Sequence, residues 1–452
     1  MSHHKTYGVY KDAGARWLEK VPEHWKMSAL KWKSKRFAGG TPDKSNPEYW
    51  VDGTIPWLAS GEVNQKLITQ PTTYITEEAY QNSSAKWIPH GALVMALAGQ
   101  GKTRGTVAQL AIDSTCNQSM AAIVAHGIRA RFLYWWLESN YSNLRGLSGD
   151  DVRDGLNLEV LGQISCPLPT EVEQDVITTY LDRETARIDA LVNKKTRFIE
   201  LLREKRQALI THAVTKGLDP NVPMQDSGVE WLGEVPAHWQ IKKVKYVAQL
   251  ESGHTPSKQV PEFWVDCDIP WVSLSDSSQL REVDYIYKTA QYLNEKGLAA
   301  SSAHLLPTGT VVFTRDATVG LAAILGKEMA VSQHLIGWVP SRNVDSEFLL
   351  RIFNAMAPWL DSLTAGATIK TIGMDDVRKL TLVLPPIEEQ ERVIVFIRKQ
   401  REKLDKIITA TERSIELLKE RRSALITAAV TGQIDLRDPA VAAGQIDVRK
   451  TA

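Results

Sequence analysis

Two stretches of the chain hold apolar residues at helical spacing over many more turns than any other part. Residues 170–215 read as one helix. One heptad series runs Gln174, Leu181, Ile188, Lys195, Leu202, Leu209, and a second runs Ile177, Glu184, Leu191, Phe198, Lys205, His212. Seven of these 12 positions are apolar, which predicts a coiled-coil seam. Thr170-x-x-Glu173, directly after Pro169, is a capping box, and Gly217 is placed to end the helix in a left-handed conformation. The second stretch gives Val393, Ile397, Leu404, Ile407, Leu418, Leu425 and Ala428. Pro386 stands where the first has its capping Thr, so this start is expected to shift by about a turn. Two readings follow. Each helix packs on its own domain, or the two pair antiparallel, each about 40 residues and ~60 Å long.

Outside these helices the pattern changes. Gly91–Leu97 and Gly309–Thr314 are short continuous apolar runs after a turn and predict buried strands. Phe132–Leu137 and Phe348–Phe353 predict helix cores, with their aromatics as packing. The combination predicts an α+β fold in two globular regions, 20–166 and 234–382.

The chain is also written twice. Without a gap, residues 12–57 match 226–271 at 21 of 46 positions, and Ile199–Thr215 matches Ile415–Thr431 at 13 of 17. Eight of the 14 tryptophans fall at matched positions in the first block. Each half has a matched start, a divergent middle and a matched end. Matched parts suit a common scaffold, and divergent parts suit two versions of one task.

Composition narrows the classes. With 54 Lys+Arg against 53 Asp+Glu the net charge is +1, which excludes a globally basic protein and leaves any anionic partner to local patches or to other subunits. No 18-residue apolar run exists and the N-terminus lacks the apolar core of a signal peptide, so a cytoplasmic protein with no membrane span is expected. Cys116, Cys166 and Cys267 lie too far apart for a Cys-x-x-Cys site, so no metal site is expected.

Candidate chemistry sits in the divergent middles. Ala96-Leu97-Ala98-Gly99-Gln100-Gly101-Lys102-Thr103 nearly matches a phosphate-binding loop, which would make the chain an ATP-binding enzyme. That mechanism needs a helix after the Lys-Thr, whereas Arg104–Gln109 reads as turn then strand. Lys102 and Arg104, and Arg315 in the equivalent loop, suit a nucleic-acid backbone or base edge equally as they suit a solvated turn. Asn117-Gln118-Ser119 and Ser332-Gln333-His334 form a second pair of candidates, since amides read adenine in the major groove. A third pair is closed by Arg153 and Lys370. Lys33, Lys35 and Arg36, with Lys258 in the second half, complete the candidate DNA-binding set. His24 and His238 recur inside Val-Pro-x-His-Trp and are read as structural. No catalytic site is present in both halves, and none is assigned.

Trp231-Leu232-Gly233-Glu234-Val235-Pro236-Ala237-His238-Trp239, Leu384-Pro385-Pro386-Ile387-Glu388-Glu389-Gln390 and Val214-Thr215-Lys216-Gly217-Leu218-Asp219 resemble the DNA-specificity subunit of type I restriction–modification systems, over nearly the whole chain and in the family's order. The first half departs slightly, since Trp17-Leu18-Glu19-Lys20 lacks the Gly. The resemblance implies a non-catalytic subunit with two target-recognition domains, each reading one part of a bipartite asymmetric site on double-stranded DNA. They would occupy 1–166 and 217–382. Helical spacers at 167–216 and 383–432 would form an antiparallel coiled-coil pair relating the halves by a pseudo-twofold axis, set the gap and dock two modification (methyltransferase) subunits. Residues 433–452 would close back on the N-terminal Tyr7–Trp25 segment. It also implies no cofactor in this chain. S-adenosylmethionine belongs to the modification subunits, and ATP and Mg to motor–nuclease restriction subunits.

Overall fold

A computed structural model of the chain describes residues 5–99, 101–146, 156–364 and 370–438. The chain forms two units. One comprises Met1–Lys195 with Arg413–Ala452, the other Thr196–Glu412. Each therefore holds a globular lobe and a portion of both long helices.

In the first unit, Leu93–Ala96 lies at the centre of a five-stranded sheet. The order is Ser34–Ala38, Met120–Ala125, Leu93–Ala96, Val107–Leu110, Leu67–Ile68. All neighbours are antiparallel except the last pair. Leu93, Val94, Met95 and Ala96 are all buried because the sheet is covered on both faces, which is why the run is continuous rather than alternating. Leu93 and Met95 join Phe132, Leu133 and Trp136 of the Ala130–Ser139 helix, along with Ile177, Leu181, Ile426 and Val430 of the long helices. Val94 and Ala96 face Leu58, Val63, Ile68 and Ile88. A second sheet joins Thr115–Cys116, Ile55–Leu58 and Thr73–Ile75.

The second unit repeats this plan. Its five-stranded order is Ala248–Ser252, Leu335–Pro340, Val311–Thr314, Ala322–Leu325, Tyr285–Ile286, and its three-stranded sheet joins Gln291–Leu293, Ile269–Val272 and Ala330–Val331. Ser346–Ser362 covers one face with Phe348, Leu349, Ile352 and Phe353. The strands and helix cores expected from the apolar runs are all present, and the fold is α+β in both lobes.

The long helices run Glu171–Lys216 and Ile387–Val430. The first starts at the expected capping box: the Glu173 amide donates to Thr170 Oγ1 at 3.3 Å and the Thr170 amide to Glu173 Oε2 at 3.0 Å. The start of the second corrects the sequence expectation. Ile387 is the counterpart of Glu171, so Pro386 does not displace the start. Its ring suits a position whose amide is an orphan anyway, and its carbonyl accepts from the Glu389 and Gln390 amides at 2.9 and 3.0 Å.

The seam also needs correction. The series through Gln174, Leu181, Ile188 and Leu202 is buried. The second series starts inward at Ile177 but turns out further along, with Leu191 and Phe198 at 40% and 45% exposure. The inward companion positions lie one residue later: Thr178, Thr185 and Ile199 are buried. The second helix keeps the same phase, with Ile397, Leu404, Ile394 and Ile408 buried and Ile407 43% exposed. Apolarity misplaced the phase because threonines carry part of the true seam. Thr185 is accommodated there by donating its hydroxyl to the Leu181 carbonyl at 2.6 Å. Within the second unit the helices pair antiparallel, with Arg203 on Glu412 at 3.1 Å and Arg206 on Asp405 at 2.6 Å. In the first, Arg422 meets Asp189 at 3.1 Å and Glu138 at 3.3 Å, while Ile426 and Val430 share a core with Ile177 and Leu181.

Among the described residues, the segment after the second long helix meets the N-terminal segment. Tyr10 Oη donates to the Gly432 carbonyl at 2.9 Å, the Asp435 amide to the Lys5 carbonyl at 2.7 Å, and Arg437 lies over the Tyr7 ring at 4.7 Å. Residues 439–452 lie outside the described set. Glu173 anchors the same corner, accepting from Tyr7 Oη and Trp25 Nε1 at 3.3 Å and contacting His24 Nε2 at 2.8 Å. Burial alone would raise its carboxyl, but these contacts and Thr170 hold it below the usual range. His238 meets Glu389 at 3.0 Å in the second unit. Both histidines are thus structural partners of a helix start.

Candidate nucleic-acid interface

Strand register brings the divergent loops together. In the first lobe Met120 opposes Ala96 and Ala121 opposes Ala38, so the loops after Ala38, after Ala96 and before Met120 share one end of the sheet. In the second, Thr314 opposes Leu335 and Ser252 opposes Ile336.

The first loop in each lobe is held by backbone contact. A Cβ on Gly39 would stand 2.0 Å from the Cys116 carbonyl oxygen, and one on Gly253 would stand 1.6 Å from that of Val331. Only glycine permits that approach. Two tryptophans then tie the loop from outside. Trp57 Nε1 donates to the Gly40 carbonyl at 2.9 Å and Trp50 Nε1 to that of Asp43 at 3.0 Å. Their rings meet edge-on at 5.1 Å. Trp271 and Trp264 repeat this, donating to the His254 and Ser257 carbonyls at 3.2 and 3.1 Å, with rings 5.6 Å apart. The loops place Thr41 in hydrogen bond with Gln118, and Thr255 with Gln333.

On this common frame the exposed groups differ. In the second lobe four candidates converge. Gln333 lies beside His334, whose Nδ1 meets Asp316 at 2.7 Å. The Arg315 amide donates to the His334 carbonyl, and the Arg315 carbonyl accepts from Ile372, both at 2.9 Å. The Lys370 carbonyl accepts from the Ala317 amide at 2.8 Å, while its ammonium meets Asp361 at 2.6 Å. Lys258 is exposed on the Thr255 loop. In the first lobe Lys102 is exposed and Gln118 is exposed, but the Arg104 guanidinium donates to the Arg145 carbonyl at 3.0 Å. Arg153 lies outside the described residues.

The basic run is not part of this cluster. Lys33 precedes the Ser34–Ala38 strand, at the opposite end from the loops, and its carbonyl accepts from His126 at 2.9 Å. Arg36 is held inward, donating to the Leu30 and Ser34 carbonyls at 3.2 and 3.0 Å, and burial lowers its affinity for its proton. Lys35 remains exposed.

The Lys102 loop does not form a phosphate cradle from a helix. It turns through Gly101 and Gly105, at φ 64° and 81°, and enters the Val107–Leu110 strand. Sequence reasoning missed Thr41, Thr255, Gly39, Gly253 and the four tryptophans as site-forming. They lie in the best-matched block, but one sequence shows the match without showing what each residue touches.

The profile of the family described as type I restriction modification DNA specificity domain matches residues 22–201 and 236–420. The chain is 27% identical over 188 residues to the type I restriction enzyme MjaIX specificity subunit of Methanocaldococcus jannaschii, covering 39% of this chain and 43% of that one. It is 29% identical over 202 residues to the EcoR124I/EcoR124II specificity subunit of Escherichia coli, covering 44% and 49%. These matches thus span less than half of those relatives. A weaker match to the Methanocaldococcus jannaschii MjaVIII specificity subunit, 19% identical, covers 93% of this chain and 95% of that one. Among solved structures, a chain from a study of complex assembly and conformational transition of the type I R-M system superposes with a TM-score of 0.71 at 16% identity, covering 92% and 99%. The HsdS subunit from Thermoanaerobacter tengcongensis gives 0.53 at 14%, covering 92% and 98%. At these identities the structures speak for the fold.

Proposed function

Because the chain belongs to the type I restriction modification DNA specificity domain family, we propose that it is the non-catalytic DNA-reading subunit of a type I restriction–modification complex. Each lobe reads one part of a bipartite, asymmetric site, and the two long helices set the unread gap and dock two methyltransferase subunits. Those subunits carry S-adenosylmethionine, and motor–nuclease subunits that use ATP and Mg complete the complex. The observation that carries the reading is the repeated loop frame with unlike side chains on it. Gly39 with Trp50 and Trp57, and Gly253 with Trp264 and Trp271, hold equivalent loops. Gln118 with Lys102 in one lobe, and Gln333, His334 and Arg315 in the other, offer different donor sets to base edges. A rigid frame with variable donors supports reading two different sequences. A net charge of +1 supports a complex in which partners supply much of the phosphate neutralisation.

No helix among the described residues is long and apolar enough to cross a membrane. The test is to map methylated adenines in a host after replacing residues 20–166 with the lobe of another family member. One half of the methylated sequence changes and the other stays. A change in both halves overturns modular reading.

A further inference from the structure

The lobes meet the long helices through ion pairs whose polarity is inverted between the halves. In the first unit the lobe supplies the cations to the helix that follows it, whereas its Glu138 takes Arg422 of the other long helix at 3.3 Å. Arg131 Nη2 meets Asp182 of the first long helix at 2.8 Å, and Lys66 meets Asp189 at 3.4 Å. In the second unit the lobe supplies the anions. Glu347 accepts from Arg398 Nε of the second long helix at 2.8 Å, and Asp284 accepts from Arg401 at 2.5 Å.

The lobe positions are counterparts, and in the first pair the helix positions are too. Arg131 precedes Phe132-Leu133 as Glu347 precedes Phe348-Leu349, and Asp182 and Arg398 stand at the same step of their helices. Lys66 and Asp284 each precede the parallel edge strand of their sheet. Their carbonyls accept from Gln109 and Ile324 of the neighbouring strand, both at 2.8 Å. Where helix meets helix the sign is kept instead: Arg422 with Asp189 in one unit corresponds to Arg206 with Asp405 in the other.

We infer that these inverted pairs key each lobe to its own helix, so that neither lobe docks on the helix of the other half. A duplicated chain has two near-equivalent seats for each lobe, and packing alone discriminates poorly between them. Seating the first lobe on the second helix would bring Arg131 against Arg398, the residue at the step of Asp182. The converse would bring Glu347 against Asp182 and leave Asp284 facing Thr185 in place of Arg401. Both bring like charges together or strip a carboxylate of its partner, which opposes the wrong pairing. The key in the second unit is the better shielded. Glu347 is 8% exposed, and Arg351, 3% exposed, also bonds Asp284. For a move from one half to the other, the exchangeable unit is therefore a lobe together with the first turns of the helix that follows it, not the lobe alone.

The test uses the full chain. A graft carrying residues 20–166 in place of 234–382 is compared with the same graft carrying Arg398→Asp and Arg401→Thr, the residues that stand at those steps of the first helix. The unadjusted graft is expected to lose soluble yield and to melt lower by at least about 4 °C. The adjusted graft recovers both. Equal behaviour of two folded grafts overturns the key. If neither graft folds, the natural chain decides. Arg131→Glu and Asp182→Arg each lower the melting temperature, and the double variant restores it. Strictly additive losses in that cycle overturn the inference.

Discussion

Asp284 shows how one side chain's surroundings set its chemistry. Burial alone would raise its carboxyl, but hydrogen bonds and charge from Arg351 and Arg401 hold it down at about 2. An unfolded aspartate titrates near ~3.9, so the folded state binds this proton less readily. The stabilisation is present above about pH 4 and is lost as pH falls through about 2, amounting to roughly 2 kcal/mol. Thermal melts between pH 5 and 2 check it. The second unit loses stability in that window, and Arg401→Met shrinks the loss. Gly253 makes a second point at this scale. Gly253→Ala forces a methyl against the Val331 carbonyl, so a cost of about 1–3 kcal/mol is expected. Gly61→Ala, where a Cβ meets nothing within 4 Å, serves as the control. Neither effect was legible in the sequence. Asp284 and Arg401 are 117 residues apart, and a glycine beside His254 and Thr255 looks like any loop residue.

At the scale of elements, both long helices and the principal strands were legible, because periodicity accumulates over many turns and buried strands are short apolar runs. The phase of the seam was not. Phe198 and Leu191 look like core residues by type, yet they face outward, while Thr178 and Thr185 face inward. The two adjacent residues in the second unit discriminate. Ile199→Ala, at a site 6% exposed, is expected to cost about 2–4 kcal/mol. Phe198→Ala is expected to change the free chain by less than about 0.5 kcal/mol. Denaturant unfolding of both variants reads the difference, and the opposite ranking restores the phase suggested by apolarity. The helix start at Ile387 teaches a related lesson. A proline in the capping position leaves the boundary alone because no hydrogen bond is lost there.

For the whole molecule, the units cut across the order of the chain. Ile426, Ala429, Val430, Ile434 and Leu436 belong to the core of the first lobe, although more than two hundred residues separate them from it in sequence. A chain ending at Lys216 lacks all five. It is expected to lose the cooperative melting transition of the first lobe and to aggregate, whereas supplying residues 217–452 as a second polypeptide restores it. A sharp transition in the isolated 1–216 fragment would show that the returning helix adds nothing to that core.

The sequence by itself determined the duplication, the α+β class, two helices of more than 40 residues and the family, since each rests on local period or on residues that can be matched one to one. It also located the loops at Gln118, Arg315 and Gln333, because divergence between matched blocks marks where the halves differ. Only the tertiary structure decided which of those side chains are free and which are spent on a neighbour. Arg36 and Arg104 point to backbone carbonyls, whereas Lys102 is exposed, and Gln118, exposed too, is bonded to Thr41. The tertiary structure alone also revealed that the lobes take opposite charges to their helices. The reason is physical: a charge is read from one residue, but its partner is chosen by packing that brings distant segments within a few ångströms.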